Sequence, residues 1–246
     1  MNYTWNWGVL SQATGIGDET YLDWIFTGLG WLLTIGIIAW IIAMAVGTTL
    51  GVMRTLPNPM ARKVATAYVT VFRNIPLLIQ LFVWYYVVPT LLPENMRLWW
   101  LDLPSNTSAL ISASIGLGLF TAARICEQVR TGIESLPKGQ KNAGYALGFT
   151  TPQLYKTVIL PQSFRVILPP LSSELTNCFK NASIASLVGV SELISQVKTI
   201  SEYTQATIEI YAYATLVYIV LNLSLIALMG LLERKLRVPG LIAGGK

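Results

Sequence analysis

The chain is predicted to be an all-α integral membrane protein with five transmembrane helices, its N-terminus outside and its C-terminus inside. Three observations on its 246 residues carry this. It is 53% hydrophobic and only 12% charged, with a mean hydropathy of +0.55, too apolar and too poor in charge for a soluble domain of this size. Its apolar residues gather into long uncharged runs. Its Lys and Arg residues fall on alternate connections between those runs.

The uncharged runs cover residues 24–53, 74–93, 103–123 and 210–232. Each reaches about 20 residues, the helix length that crosses a hydrocarbon core of about 30 Å. The first, about 30 residues long, would extend roughly 45 Å as a helix, so it must tilt or project from the bilayer. Arg54 marks its inner end, and Pro57 and Pro59 break it. A helix restarts at Met60 and runs into Phe72-Arg73-Asn74-Ile75-Pro76, where Pro76 is expected to kink the second span. Residues 93–106 follow, with Trp99 and Trp100 suited to an outer headgroup belt. A fifth span over residues 166–190 carries Glu174 and Lys180 together with Pro169 and Pro170, and is expected to be broken or locally unwound. Lipid offers no water to stray backbone groups, so such segments build a helical bundle. They lack the alternation and the roughly ten-residue length of barrel strands.

Residues 1–23 hold no Lys or Arg. The connection after the first run holds Arg54, Arg62 and Lys63, and the next only Arg97, with Glu94 and Asp102. The long connection then supplies Arg124, Arg130, Lys138, Lys141, Lys156 and Arg165, and the tail supplies Arg234, Lys235, Arg237 and Lys246. The positive-inside rule makes the basic sides cytoplasmic. The net charge of +5 is thereby a topology signal and no nucleic-acid footprint. The first 23 residues lack the basic and apolar regions of a cleavable signal, so the first span is expected to be retained. Cys126 and Cys178 lie in or beside spans in a chain without histidine, which argues against a disulfide framework, a zinc site or His-based acid–base chemistry. No internal repeat or low-complexity tract divides the chain, which reads as one membrane domain over 1–246.

Residues 138–161, KGQKNAGYALGFTTPQLYKTVILP, form a polar, basic, glycine-punctuated stretch that reads as a helix hairpin. On a helix, Gln140, Ala143, Gly144 and Leu147 share one small, mildly apolar face, with Gly139 at its start. Gly148 can close that helix in a left-handed cap, and Pro152 prevents its continuation. From composition alone, an amphipathic loop resting on headgroups and a docking helix are equally open.

The hairpin resembles the EAA loop of ABC importer permeases, whose pattern is Glu-Ala-Ala, three residues, Gly, nine residues, then Ile-x-Leu-Pro. Here Asn142-Ala143-Gly144, Gly148 and Val158-Ile159-Leu160-Pro161 stand at that spacing, with Asn142 replacing the Glu and Gly144 the second Ala. Phe72 to Gln80, Glu127-Gln128-Val129-Arg130-Thr131-Gly132, Gly139-Gln140, Leu160-Pro161-Gln162 and Lys180-Asn181-Ala182-Ser183 are similar, in order, to motifs of the polar amino acid subfamily. Trp5-Asn6-Trp7-Gly8 and Glu233-Arg234-Lys235 resemble the members that import the acidic amino acids glutamate and aspartate.

That resemblance implies a type I ABC importer transmembrane domain in a bacterial inner membrane. Two cytoplasmic ABC ATPases would seat on coupling helices built from Gly139, Gln140, Ala143, Gly144, Leu147 and Gly148. It further implies a second permease subunit, a paralogue or a copy, and a periplasmic amino-acid-binding protein. No Walker A pattern G-x-x-x-x-G-K-[ST] occurs, so ATP and Mg are expected on the partner ATPases and no cofactor on this chain. Two rival readings are a gradient-driven transporter or channel and a non-transporting membrane scaffold.

An unpaired charge in a span costs about 2.5 to 3.5 kcal/mol, so intramembrane charges need partners or a wet path. Arg124 can bind a substrate carboxylate in a bidentate way or pair with Glu127 one helical turn on. Lys180 is six positions from Glu174, so the two are not adjacent on a regular helix. A break there would expose backbone groups able to hold a zwitterion. Many relatives carry an acidic residue where Asn181 stands, and its loss favours an anionic substrate. Ser183 offers a hydroxyl, and Gln80 can hydrogen-bond substrate or join helices. The candidate pathway residues are Arg124, Lys180, Asn181, Ser183 and Gln80.

Overall fold

A computed structural model describes residues 3–236, and among these the chain is helical, with a single isolated bridge, Ala13 to Thr20, as its only strand-like pairing. Ten α-helices follow in order: α1 (Tyr21–Thr55), α2 (Pro59–Asn74), α3 (Leu77–Phe82), α4 (Glu94–Asp102), α5 (Ser105–Glu134), α6 (Lys138–Ala146), α7 (Thr151–Leu154), α8 (Leu160–Ala182), α9 (Leu193–Thr204) and α10 (Thr207–Leu236). A π-turn over Val83–Val87 and a 3-10 turn over Val88–Leu91 extend α3, and a second π-turn, Tyr155–Ile159, joins α7 to α8.

Three of the four long uncharged runs became long helices, while the run 74–93 formed the short α3 and its π and 3-10 turns. α1, α5 and α10 are long and apolar enough to cross a membrane, and α2 with the α3 segment makes a fourth if counted as one interrupted span. The interruption lies at Ile75 and Pro76, where the kink was expected. Asn58 caps α2, its side chain accepting from the Met60 and Ala61 amides. The fifth expected span does not reach the same apolarity. α8 runs unbroken through Pro169 and Pro170, and helical geometry changes only at the 3-10 turn Ser183–Val188, which Gly189 closes at φ 93°. Arg237 and Lys246 lie outside the described residues.

Two compact units divide the described chain. The first comprises residues 3–40, 76–118 and 177–223. In it the N-terminal half of α1 approaches α9 and α8 through glycines: a Cβ on Gly28 would stand 2.9 Å from the Leu193 Cα, and one on Gly36 2.5 Å from the Phe179 ring. The N-terminal strand of chain is tied to α10, because buried Glu209 accepts from the Tyr3 hydroxyl and the Asn6 amide (2.6 Å), and Tyr213 donates to the Trp7 carbonyl (2.6 Å). Asn106 at the start of α5 accepts from the Ser191 amide at 3.0 Å, anchoring the turn before α9.

The second unit comprises residues 41–75, 119–176 and 224–236. Gly47 and Gly51 of α1 lie one turn apart and set its backbone directly on α5. A Cβ would meet the Ala122 carbonyl oxygen at 2.7 Å from Gly47 and the Val129 Cβ at 2.6 Å from Gly51. Small residues at this spacing are a membrane solution for close helix approach. Tyr68 of α2 donates to the Leu119 carbonyl at 2.7 Å, and Gly132 of α5 makes room for Ile167 of α8. Cys126 and Cys178 are buried thiols that form no disulfide among the described residues, Cys126 in this unit and Cys178 in the first. α10 leaves Ile219, Val220, Leu223, Ile226 and Leu231 exposed, a surface that needs lipid or another subunit.

Candidate functional site

The hairpin is built from α6, a glycine turn and α7. Gly148 adopts φ 81°, the Gly148 amide bonds the Tyr145 carbonyl (3.0 Å) and the Phe149 amide bonds the Gly144 carbonyl (3.1 Å), which together form a Schellman cap. Gln153 reaches back to the Thr150 amide at 2.9 Å, so α7 starts on a capping contact with Pro152 in its first turn. The expected face is divided by the packing. Gly139, Gln140, Ala143, Leu147 and Gly148 are exposed, Leu147 at 77%, while Gly144 is buried. A Cβ on Gly144 would stand 2.4 Å from Leu154 Cδ1, so this glycine lets α6 close onto α7 and is unavailable to a docking partner. Gln140, Ala143 and Leu147 keep a continuous outward stripe.

The hairpin is fastened to the end of α1 through Tyr155, and a separate charge cluster joins α1, α2 and α5 in the same unit. Tyr155, on the π-turn, donates to the Thr55 carbonyl at 2.9 Å, and burial pushes its phenol up. Glu127 of α5 gathers three guanidiniums: Arg54 at one oxygen, Arg130 at the other (2.9 Å), and Arg73 at 3.8 Å, beyond hydrogen-bond reach. Arg130 also holds Glu134. Arg73, Arg54 and Glu127 line a polar cavity of about 290 Å³ with Thr66, Thr70 and Asn74.

With Glu127 so engaged, Arg124 does not pair with it. Its guanidinium turns to Glu174 of α8, Nε to Oε2 at 2.7 Å and Nη2 to Oε1 at 3.3 Å. Neither side of the pair could be read from one helix, because the partners stand 50 residues apart.

In the other unit, Lys180 and Ser183 line a cavity of about 510 Å³ together with Tyr211, Thr215, Tyr218 and Asn222 of α10. The Asn222 Oδ1 and the Tyr218 hydroxyl are buried without a well-placed partner among the described residues, the hydroxyl lying toward Ser183. Behind this wall sits Glu192, fully buried at the N-cap of α9. Its Oε1 accepts from the Ser195 amide at 3.1 Å, its Oε2 finds no partner among the described residues, and burial pushes the carboxyl up to about 7. Gln80 is buried on α3, which packs on the 3-10 turn bearing Ser183. Asn181 is half-buried, and neither it nor Gln80 lines the cavity. The α10 contributors escaped the sequence reading, although Tyr211, Thr215, Tyr218 and Asn222 recur at i, i+4, i+7 and i+11, one polar stripe in an apolar run.

Comparisons with known proteins agree with this architecture. Residues 43–238 match the family described as binding-protein-dependent transport system inner membrane component. The chain is 44% identical over 245 residues to the glutamate/aspartate import permease protein GltJ of Escherichia coli, covering 99% of this chain and 100% of that protein. It is 35% identical over 214 residues to the glutamate/aspartate import permease protein GltK of Escherichia coli, covering 87% and 94%. Among solved structures it resembles an amino acid ABC transporter crystallised with histidines, at a TM-score of 0.69 and 27% identity over 87% of this chain and 95% of that one. The inward-facing MetNI methionine ABC transporter shares the fold at a TM-score of 0.71 and 17% identity, over 88% and 98%. An all-helical chain with a capped hairpin at the EAA spacing, matched by this family over most of its length, belongs to the binding-protein-dependent transport system inner membrane components and is an ABC importer permease.

Proposed function

We propose that this permease carries acidic amino acids, glutamate and aspartate, through the inner membrane of a bacterium. The observation that carries the reading is the cavity at Lys180. A zwitterionic substrate needs a cation or donors for its carboxylates and acceptors for its ammonium group. Lys180 and Ser183 meet the first need, and Asn222 Oδ1 and the Tyr218 hydroxyl the second. End-to-end likeness to a glutamate/aspartate permease supports the choice of substrate class.

In this reading the chain acts as one membrane domain of five spans, α8 being the polar fifth, with the N-terminus outside and the C-terminus inside. It works beside a second permease, and a periplasmic binding protein delivers the substrate. Two cytoplasmic ATPases bind ATP and Mg and sit on the stripe of Gly139, Gln140, Ala143 and Leu147, with Gly144 and Gly148 shaping the helix behind it. Gln80 and Asn181 support the 3-10 turn beside the cavity, and Arg124 forms a further part of the pathway.

Reconstitution with the second permease, the ATPase and the binding protein tests this. ATP hydrolysis should rise with glutamate or aspartate and not with glutamine or arginine, and Lys180→Gln should reduce that rise by at least tenfold. Stimulation by neutral or basic amino acids alone would remove the acidic assignment.

A further inference from the structure

Arg124 is the charge in α5 whose geometry the rest of the fold does not explain. Glu174 engages Nε and Nη2, the edge of the guanidinium that grips a carboxylate with two parallel bonds. The two partners are unequally buried: the Glu174 side chain is 9% exposed and that of Arg124 is 43% exposed. The cation thus keeps an open side just beyond the uncharged run 103–123 of α5. Lipid is a poor neighbour for such a side, so it faces water, another protein or a ligand.

The neighbouring face of α8 has the same character. Gln162, Arg165, Pro169, Ser173 and Lys180 recur along one side of the helix and are exposed or half-buried. A helix intended for lipid does not carry such a stripe. Glu174 lies off this stripe on the buried side of α8, while Arg124 keeps an open side.

We infer that Glu174 is a resident stand-in for a substrate carboxylate. It occupies the fork of Arg124 when no substrate is present and yields it to the side-chain carboxylate of a dicarboxylic amino acid during passage. The exchange swaps one carboxylate for another on the same guanidinium, so the cation stays paired at both stages, and the cost of leaving the displaced, buried Glu174 carboxylate without its partner is what opposes tight binding. Arg124 is thereby a specificity-determining residue that separates an acid from its amide, and Glu174 a competitor that keeps the bound substrate from being held too tightly. The inference rests on the acidic-substrate reading above.

The test is direct binding of radiolabelled glutamate and glutamine to the permease–ATPase complex in nanodiscs, without binding protein. Wild type should prefer glutamate. Arg124→Gln should bind both amino acids alike, losing at least tenfold of that preference, and Arg124→Lys should restore only part of it because the fork is gone. Glu174→Gln should bind glutamate at least tenfold more tightly with glutamine unchanged. The Arg124→Gln/Glu174→Gln double variant leaves no unpaired charge and so guards against loss of folding. It should match Arg124→Gln. An unchanged glutamate-to-glutamine ratio in Arg124→Gln or the double variant, or unchanged glutamate binding in Glu174→Gln, overturns the exchange and leaves a bracing pair. Wild type preferring glutamine would instead remove the acidic-substrate reading itself.

Discussion

Replacing Glu192 with glutamine removes a titration that the fold makes expensive. The carboxyl has no exposed surface, and only the Ile194 and Ser195 backbone amides favour its ionised form, so burial outweighs these cap contacts and the acid ionises at about 7 instead of 4.5. Between these pH values the unfolded chain has released this proton and the folded chain has kept it, so stability falls as pH rises through that window. It is highest below 4.5 and lowest above about 7. At about 1.4 kcal/mol for each tenfold, the loss is about 3 kcal/mol across the window. Glu192→Gln cannot titrate and keeps the acceptor for the Ser195 amide. It should exceed wild type by about 3 kcal/mol at pH 8 and by under about 1 kcal/mol at pH 5. For a chain of this size that corresponds to melting temperatures raised by roughly 8 °C and 2 °C, read by thermal denaturation of the purified chain in nanodiscs. An equal offset at both pH values, or a variant less stable at pH 8, would show that the carboxylate is solvated or paired.

Three further outcomes follow from the packing. Leu147→Asp, on the exposed stripe of α6, should abolish co-purification of the ATPase while leaving the amount of permease in the membrane unchanged, as a pull-down and an immunoblot would report. Gly144→Trp should destabilise the hairpin, since its ring must enter the space of Leu154; protease cleavage near Phe149 in the variant, absent from wild type, would show it. Gly51→Leu should cost about 1 to 3 kcal/mol by overpacking against Val129 and Cys126, lowering the melting temperature in nanodiscs. A melting point within 1 °C of wild type (roughly half a kcal/mol at this size) would mean that α1 and α5 can separate cheaply.

Much of the fold was legible because lipid imposes a simple rule. Uncharged runs of helix-spanning length became α1, α5 and α10, and Pro76, Gly148 and Pro152 acted locally, where sequence order and spatial order coincide. α8 was harder. Its prolines signalled a break, yet the break fell at Ser183, because the glycine turn that ends the segment lies beyond them. Features set by non-local packing did not show. Arg124 had a plausible partner one turn away in Glu127, but Glu127 was already taken by Arg54 and Arg130, and the true partner came from α8. Gly144 carries the same sequence signal whether it faces a partner or Leu154. The α10 wall of the cavity was hidden for another reason: Tyr218 and Asn222 are too few to dent the hydropathy of a long apolar helix, and only their spacing sets them apart.

Gly47 and Gly51 bring the backbone of α1 directly against the Ile125 and Val129 side chains and the Ala122 and Cys126 carbonyls of α5, with no side chain from α1 between them. Layers of side chains act as a lubricant between helices, because rotamers can change while axes slip past one another. A glycine seam set on β-branched Ile125 and Val129, whose χ1 angles are stiff, has little such compliance, so α1 and α5 travel together along that length. Any change of access has to bend the chain elsewhere. The places built for bending are the segments where helical winding changes, at Val83–Val87, Tyr155–Ile159 and Ser183–Val188. The seam sets what cannot move, and thereby which few turns carry the motion.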